Sequence, residues 1–339
     1  MLARMTLLWL GLLTATGAAE TVPACWAPGD LVHRQGEERV QRAVAQAHLT
    51  APKRTLTEYS PVAARGAIRR VQLPPGKKLV ALTFDLCEQP SEISGYQGGI
   101  VDFLRSKGIK ATFFIGGKWM LSHRERTQQL MADPMFEVAN HTWEHRNLRL
   151  TSGQALVDEI RNAQLAYEQV RAELQAKQCL GPQGNALAHE RAPRRLGLIR
   201  FPYGACSPAA LSEVAQQGLL PIQWDVSSGD PTVGLSAQGL QQQVLSNIAP
   251  GSIVLFHANG RGWHTEGALP AVIGGLKARG YEFVTVSELL AAGEPVISPT
   301  CYDSRPGDAD RWPFRPRAPV AAAPTGGFVW PWQSVAQRR

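Results

Sequence analysis

Leu79-Val80-Ala81-Leu82-Thr83-Phe84-Asp85 is the stretch that decides the fold, an uncharged run that ends on a carboxylate. Outward from it the same pattern returns. Phe136-Glu137-Val138 leads to His141-Thr142-Trp143-Glu144-His145, Leu196-Gly197-Leu198-Ile199 to Arg200-Phe201-Pro202-Tyr203, and Ile253-Val254-Leu255-Phe256 to His257, with Asp230 before the last. Short apolar runs alternating with helix-like segments read as buried parallel strands of an α/β fold. In barrels of that kind the catalytic groups stand at the C-terminal strand ends. A carboxylate, a histidine pair, an arginine and another histidine therefore converge on one mouth. That is the equipment of a metal-assisted hydrolase.

The alternation begins at Lys78. Strands are expected at 78–85, 110–115, 135–140, 197–201, 219–225, 252–257 and 281–286, and helices at 97–107, 123–133, 152–177, 208–217, 236–248, 266–279 and 286–292. About seven βα units fit one barrel-like domain over 78–295 better than two open sheets. Residues 20–77 read as an N-terminal extension with an amphipathic helix near Glu37 to His48. Gly181-Pro182-Gln183-Gly184-Asn185 and the basic segment to Arg195 read as a loop insertion that lines the substrate groove. The Pro-, Ala- and Arg-rich tail, 296–339, is expected to be mostly disordered, with Phe328-Val329-Trp330 as its one docking element.

Arg4, the apolar Leu7-Leu8-Trp9-Leu10-Gly11-Leu12-Leu13 and the small residues to Ala19 read as a secretory signal cleaved before Glu20. The run is too short to span a bilayer, and no later segment is apolar enough. Export to a periplasmic or extracellular space is expected. The formal charge of +7 falls to +6 without the signal, which removes Arg4 and no acid. Such an excess reads first as a solvated basic surface and otherwise favours weak contact with anionic envelope polymers or membranes; nothing resembles nucleic-acid recognition. An oxidising compartment permits disulfides, and five cysteines leave one thiol over. Cys25 with Cys301 would tie the flanks together, and Cys179 with Cys206 would pin the inserted loop. Cys87, two residues from Asp85, reads as buried near the site, with a catalytic thiol as the sharper alternative.

The i, i+4 spacing of His141 and His145 directs two imidazoles to one side of a helical turn, where both can hold one Zn²⁺ or similar ion. Alone, such a pair is more often surface or capping histidine; a preceding apolar strand and a strand-end carboxylate favour the metal. Asp85 closes a buried strand, where an unpaired carboxylate is costly, and Arg200 is its natural partner. The pair is either a structural ion pair or a general base held in place. His257 is positioned to protonate a leaving group, and Asp230 beside it would raise its pKa.

The ordered motifs TFD, H-T-x-x-H, R-F-P-Y, W-D-x-x-x-G-D and L-F-H resemble the polysaccharide deacetylase family, carbohydrate esterase family 4, with its NodB-homology domain. The resemblance covers about 78–290 and implies a distorted (β/α) barrel, a divalent metal (zinc, with cobalt as second choice), and removal of acetyl groups from N-acetylglucosamine polymers or acetylated xylan. By that likeness Asp85 is the base, His141 and His145 are metal ligands, and Arg200 orients the base. The Tyr203 N–H is an oxyanion donor, His257 the general acid and Asp230 its tuner. Leu255 walls the acetyl pocket, with Trp224 and Pro202 as further candidate substrate contacts.

Two departures stand out. The family places a second aspartate after the first to complete its metal ligands; here Leu86 follows Asp85. Glu88 is the only carboxylate close in sequence that could replace it, although an extended backbone turns Asp85 and Glu88 to opposite faces. Water in the third position is the other possibility. Pro231 follows Asp230 where the family tends to have tryptophan. The expectation is therefore an exported metal-dependent hydrolase that deacetylates a polysaccharide. A non-catalytic carbohydrate-binding protein and a small cyclic amide or imide hydrolase on the same fold are its rivals.

Overall fold

The computed structural model describes residues 25–44, 49–63, 66–180, 192–303, 306 and 308. The expected signal segment, most of the inserted loop and the aromatic end of the tail lie outside them. Strands in chain order are β1 (Gln41–Arg42), β2 (Ala67–Gln72), β3 (Leu79–Leu86), β4 (Glu92–Ile93), β5 (Ala111–Ile115), β6 (Phe136–Asn140), β7 (Leu198–Ile199), β8 (Leu220–Pro221), β9 (Val226–Ser227), β10 (Ile253–His257), β11 (Glu282–Phe283) and β12 (Glu294–Ser298).

One parallel sheet runs in the order β8-β7-β6-β5-β3-β10-β9, and β11 pairs with the first residues of β3. It curls into a distorted (β/α) barrel. Its outer strands, β8 and β9, do not pair with each other. Instead β2 runs alongside: Ile68 bridges Ile222, and the Val71 N–H donates to Gly251 O at 2.9 Å. The outer side of β2 is covered by antiparallel β12. This β2–β12 ribbon lies outside the expected run of strands.

All eight residues of β3 are buried, as a central parallel strand requires. Phe84 sits between Phe113 and Phe256, its ring centroid 5.4 Å and 5.3 Å from theirs. The 23-residue helix Gln154–Ala176 buries Leu156, Ile160, Ala163, Tyr167, Val170 and Leu174, a stripe at helical spacing. That stripe packs on the helices Gly117–Ser122 and Arg124–Ala132. The expected helices from 97–107 to 286–292 match observed ones with shifts of one or two residues at their ends.

Three expectations are corrected. Residues 37–44 form a turn and β1 rather than the start of a helix; β1 pairs antiparallel with β4. The disulfides are Cys25–Cys179 and Cys206–Cys301, and Cys87 is free and buried. Spacing alone does not fix connectivity; the sheet brings the end of β12 beside the turn after β7. Cys301 and Tyr302, at 1% and 0% exposure, belong to the packed core rather than to a loose tail. No helix among the described residues is long and apolar enough to cross a membrane.

Candidate active site and metal centre

Parallel register brings the motifs to one edge. Asp85 is the partner of His257 on β10 and of Phe114 on β5, and Ile115 is the partner of Asn140 on β6. Beyond these ends the chain keeps the alignment for one more residue: His141 N–H donates to Ile115 O at 3.1 Å, and Arg200 N–H donates to Asn140 O at 3.0 Å.

Asp85 is buried, and its two carboxylate oxygens face different partners. Arg200 Nη1 lies 2.8 Å from Oδ1 and 2.8 Å from Thr83 Oγ1, while Arg200 Nη2 donates to Gln223 O at 3.3 Å. Oδ2 lies 3.4 Å from His141 Nε2. The guanidinium is fully buried, with its carbon 4.0 Å from the centre of the Phe114 ring. A buried arginine of this kind needs its carboxylate.

The two histidines converge, but not on a helical turn. Residues 141–147 are irregular, with Thr142 and His145 both in the left-handed region at φ 66° and 60°. Backbone strain of this sort is characteristic of functional sites. It brings the imidazole centroids to 5.0 Å. The His141 Nδ1 position, 2.9 Å from Arg200 O, suits an N–H donor and leaves Nε2 as the free lone pair. Nε2 of His141 and Nδ1 of His145 are buried without a hydrogen-bond partner. Burial holds His141 below the ordinary histidine pKa against the pull of Asp85. Burial, then the charges of His141 and His257, holds His145 well below it. Both rings are therefore neutral, the form that ligates a metal.

Glu88, the expected third ligand, is elsewhere. Its carboxylate accepts from Ser122 Oγ at 2.5 Å and Ser94 N–H at 3.3 Å, and lies 3.7 Å from His123 Nδ1. The strand keeps its two-residue period to the end, so Leu86 enters the core and Glu88 follows it to that side. Cys87 falls on Asp85's side. Its sulfur and one nitrogen of each of His141 and His145 lie within 4.8 Å of one another. Burial, then the Asp85 charge, pushes the thiol's pKa up, so without a cation Cys87 is neutral. One sulfur and two imidazoles, each ring with a buried nitrogen that lacks a hydrogen-bond partner, form a donor set that fits a divalent cation.

On β10, next to Asp85 in register, His257 Nδ1 is 2.8 Å from Asp230 Oδ1. Asp230 Oδ2 accepts from the His257 N–H at 2.7 Å and from Thr265 Oγ1 at 2.6 Å. Burial pulls His257 down, but the charge and hydrogen bond of Asp230, with Asp85 behind them, leave its pKa above the ordinary value. Tyr203 is half exposed with φ 58°, and its ring centroid is 4.5 Å from that of His145. Gly204 follows at φ 55°, where a Cβ would meet Tyr302 O at 1.9 Å, so only glycine fits.

Leu255 is 7% exposed, between Thr83 and Ser227 in register. Pro202 is buried in the turn before Tyr203. Trp224, expected to touch substrate, backs the site instead: it is 3% exposed, its indole N–H donates to Asp303 O at 2.8 Å, and Arg200 lies over its ring. Exposed Trp263, whose N–H donates to Asp230 O at 3.2 Å, is an aromatic at the rim that the motifs did not point to. Thr83 and Thr265, which fix Arg200 and Asp230, were also missed; their hydroxyls carry no spacing signal.

The family model described as polysaccharide deacetylase matches residues 72–222. A peptidoglycan-N-acetylglucosamine deacetylase of Bacillus cereus is 31% identical over 220 residues, covering 64% of this chain and 70% of that protein. A peptidoglycan-N-acetylglucosamine deacetylase of Listeria monocytogenes is 28% identical over 225 residues, covering 66% of this chain but only 41% of its own length. Among solved structures, a CE4 family pseudoenzyme from Bacillus anthracis superposes with a TM-score of 0.51 at 25% identity, covering 68% of this chain and 70% of that one.

Proposed function

The chain belongs to the polysaccharide deacetylase family, and on that premise we propose that it is an exported, metal-dependent hydrolase that removes N-acetyl groups from an N-acetylglucosamine-containing envelope polymer. The observation that carries this reading is the placement of two built pairs side by side at one sheet edge. Asp85 is held by Arg200, its in-register neighbour His257 by Asp230, and the unpartnered His141 and His145 nitrogens belong to the same edge. The two disulfides support export to an oxidising space.

His141 and His145 would hold the ion, which when bound polarises water and the acetyl carbonyl. Asp85 Oδ2, free of Arg200, takes a proton from the attacking water. The Tyr203 backbone N–H, presented by the left-handed turn, donates to the developing oxyanion. His257, kept protonated by Asp230, gives its proton to the departing amine. Leu255 forms an apolar wall for the acetyl methyl group.

The test is acetate release from a panel of N- and O-acetylated glycans, after chelation and after adding back Zn²⁺ or Co²⁺. Metal-restored release from an N-acetylglucosamine polymer supports the reading. A flat response across the panel, with glycan binding retained, supports a carbohydrate-binding protein instead. Leu86, where the family resemblance calls for an aspartate, is the observation in favour of that second reading.

A further inference from the structure

Resting on the metal-dependent reading above and deepening it, we propose that Cys87 supplies the third protein ligand as a thiolate. The resulting set of two imidazole nitrogens and one sulfur selects a thiophilic divalent ion of the zinc class. The position lost at Leu86 is refilled one residue later, by a softer donor.

Four observations carry this. First, β3 stays extended through Leu86, so the two-residue period puts the Cys87 side chain on the side of Asp85 and the histidines. Second, the sulfur and one ring nitrogen of each histidine lie within 4.8 Å of one another, while the next carboxylate along the chain, Glu88, is bonded to Ser122 and Ser94. Third, His141 Nε2 and His145 Nδ1 are buried without partners, which is costly for a polar atom unless something binds there. Fourth, the sulfur is itself oriented. Asn259 Nδ2 donates to Cys87 Sγ at 3.2 Å and to Cys87 O at 3.0 Å, the kind of outer support that fixes a metal ligand and stabilises its charge. Among the described cysteines Cys87 alone is outside a disulfide, and at 3% exposure it is shielded from exchange with the others.

Ligation replaces an S–H bond with a sulfur–metal bond, and the thiol proton leaves to solvent, so binding releases one proton more than two neutral imidazoles would. Thiolate favours zinc and its soft neighbours, whereas carboxylate sites also accept manganese and magnesium. Zinc bound here has two nitrogen ligands, one sulfur ligand and one open position, the count of a catalytic site.

The experiment uses the full mature chain, stripped with chelator and reloaded with Zn²⁺ or Co²⁺. The expected result is one ion per chain and, in the Co²⁺ form, a near-ultraviolet sulfur-to-cobalt charge-transfer band. Cys87→Ser loses that band, and its zinc affinity falls by more than the roughly 10–100-fold that an outer partner costs. Cys87→Asp binds cobalt without the band. A wild-type cobalt form that lacks the band, or a Cys87→Ser protein with unchanged zinc affinity, overturns the proposal even if zinc is retained. A wild-type chain that takes up no divalent ion overturns the metal-dependent reading beneath it as well. The wild-type spectrum decides the matter even where a variant fails to fold.

Discussion

Arg200 Nη1 stands 2.8 Å from Asp85 Oδ1, and the other carboxylate oxygen is left 3.4 Å from His141 Nε2. That asymmetry divides the work of one carboxyl group. Oδ1 is spent on holding the guanidinium, which is fully buried between Phe114 and Trp224. Oδ2 faces the histidines and is free to accept a proton. Thr83 stiffens the arrangement, accepting from Arg200 while its own hydroxyl donates to Val254 O at 2.6 Å. A base fixed in this way loses no time to reorientation when the reaction begins.

Asp85→Asn tests the base. The amide keeps its size but cannot take a proton, so acetate release should fall by about 10²–10⁴-fold. Zinc content should remain at the wild-type value, since the side chain is not needed as a ligand. An unchanged rate would place the base elsewhere. Arg200→Met removes the partner instead and leaves a buried carboxylate unpaired; a loss of about 3–5 kcal/mol in urea denaturation is expected.

His257 and Asp230 set the alkaline side of the pH profile. The general acid must be protonated to donate, and Asp230 raises the His257 pKa above the ordinary 6.5. Activity should therefore persist up to that raised value and fall above it. Asp230→Asn removes both the charge and the charge-assisted hydrogen bond, so the alkaline limb should move to lower pH. The linkage has the matching sign. Stabilisation from the raised histidine is complete below the ordinary value and is lost as pH rises through the folded value. A limb that stays in place in Asp230→Asn would assign the acid to another group.

Central strands and strand-end motifs were legible because a parallel strand buried on both faces is written as a continuous apolar run, as in Leu79–Phe84. The β2–β12 ribbon was not. Ala67–Gln72 carries two arginines, Glu294–Ser298 begins with Glu-Pro, and their pairing joins opposite ends of the fold. The convergence of His141 and His145 was readable from spacing, yet its cause was not, because left-handed backbone at Thr142 and His145 leaves no periodic trace. Cys87 did carry a signal, the same two-residue period that separates Asp85 from Glu88.

Glu88→Gln separates those two residues. Its carboxylate lies under the site, bonded to Ser122 and Ser94 and facing His123. Zinc affinity should be almost unchanged in this variant, while stability drops by about 1–3 kcal/mol, the cost of weakening a buried polar cluster. A large loss of zinc with stability intact would return the ligand role to Glu88.

The Cys206–Cys301 disulfide braces the oxyanion turn, and its removal should show in kcat as well as in stability. Cys206 follows the Pro202-Tyr203-Gly204 turn, and Cys301 precedes Tyr302, whose carbonyl presses against Gly204 and accepts from Gln223 Nε2 at 2.9 Å. The next carbonyl, of Asp303, takes the Trp224 indole N–H at 2.8 Å. The 301–303 segment thus backs both the turn that presents the Tyr203 N–H and the tryptophan behind Arg200. Cys206→Ala/Cys301→Ala should cost about 2–5 kcal/mol, as for loss of a native disulfide closing a long loop. It should also lower kcat more than it raises KM, because an oxyanion donor acts chiefly in the transition state. Cys25→Ala/Cys179→Ala is the control. That bond ties the N-terminal segment to the chain just after the helix Gln154–Ala176, so stability should fall with kcat preserved. Equal kcat in both double variants, measured below their unfolding temperatures, would reduce the Cys206–Cys301 bond to a structural staple.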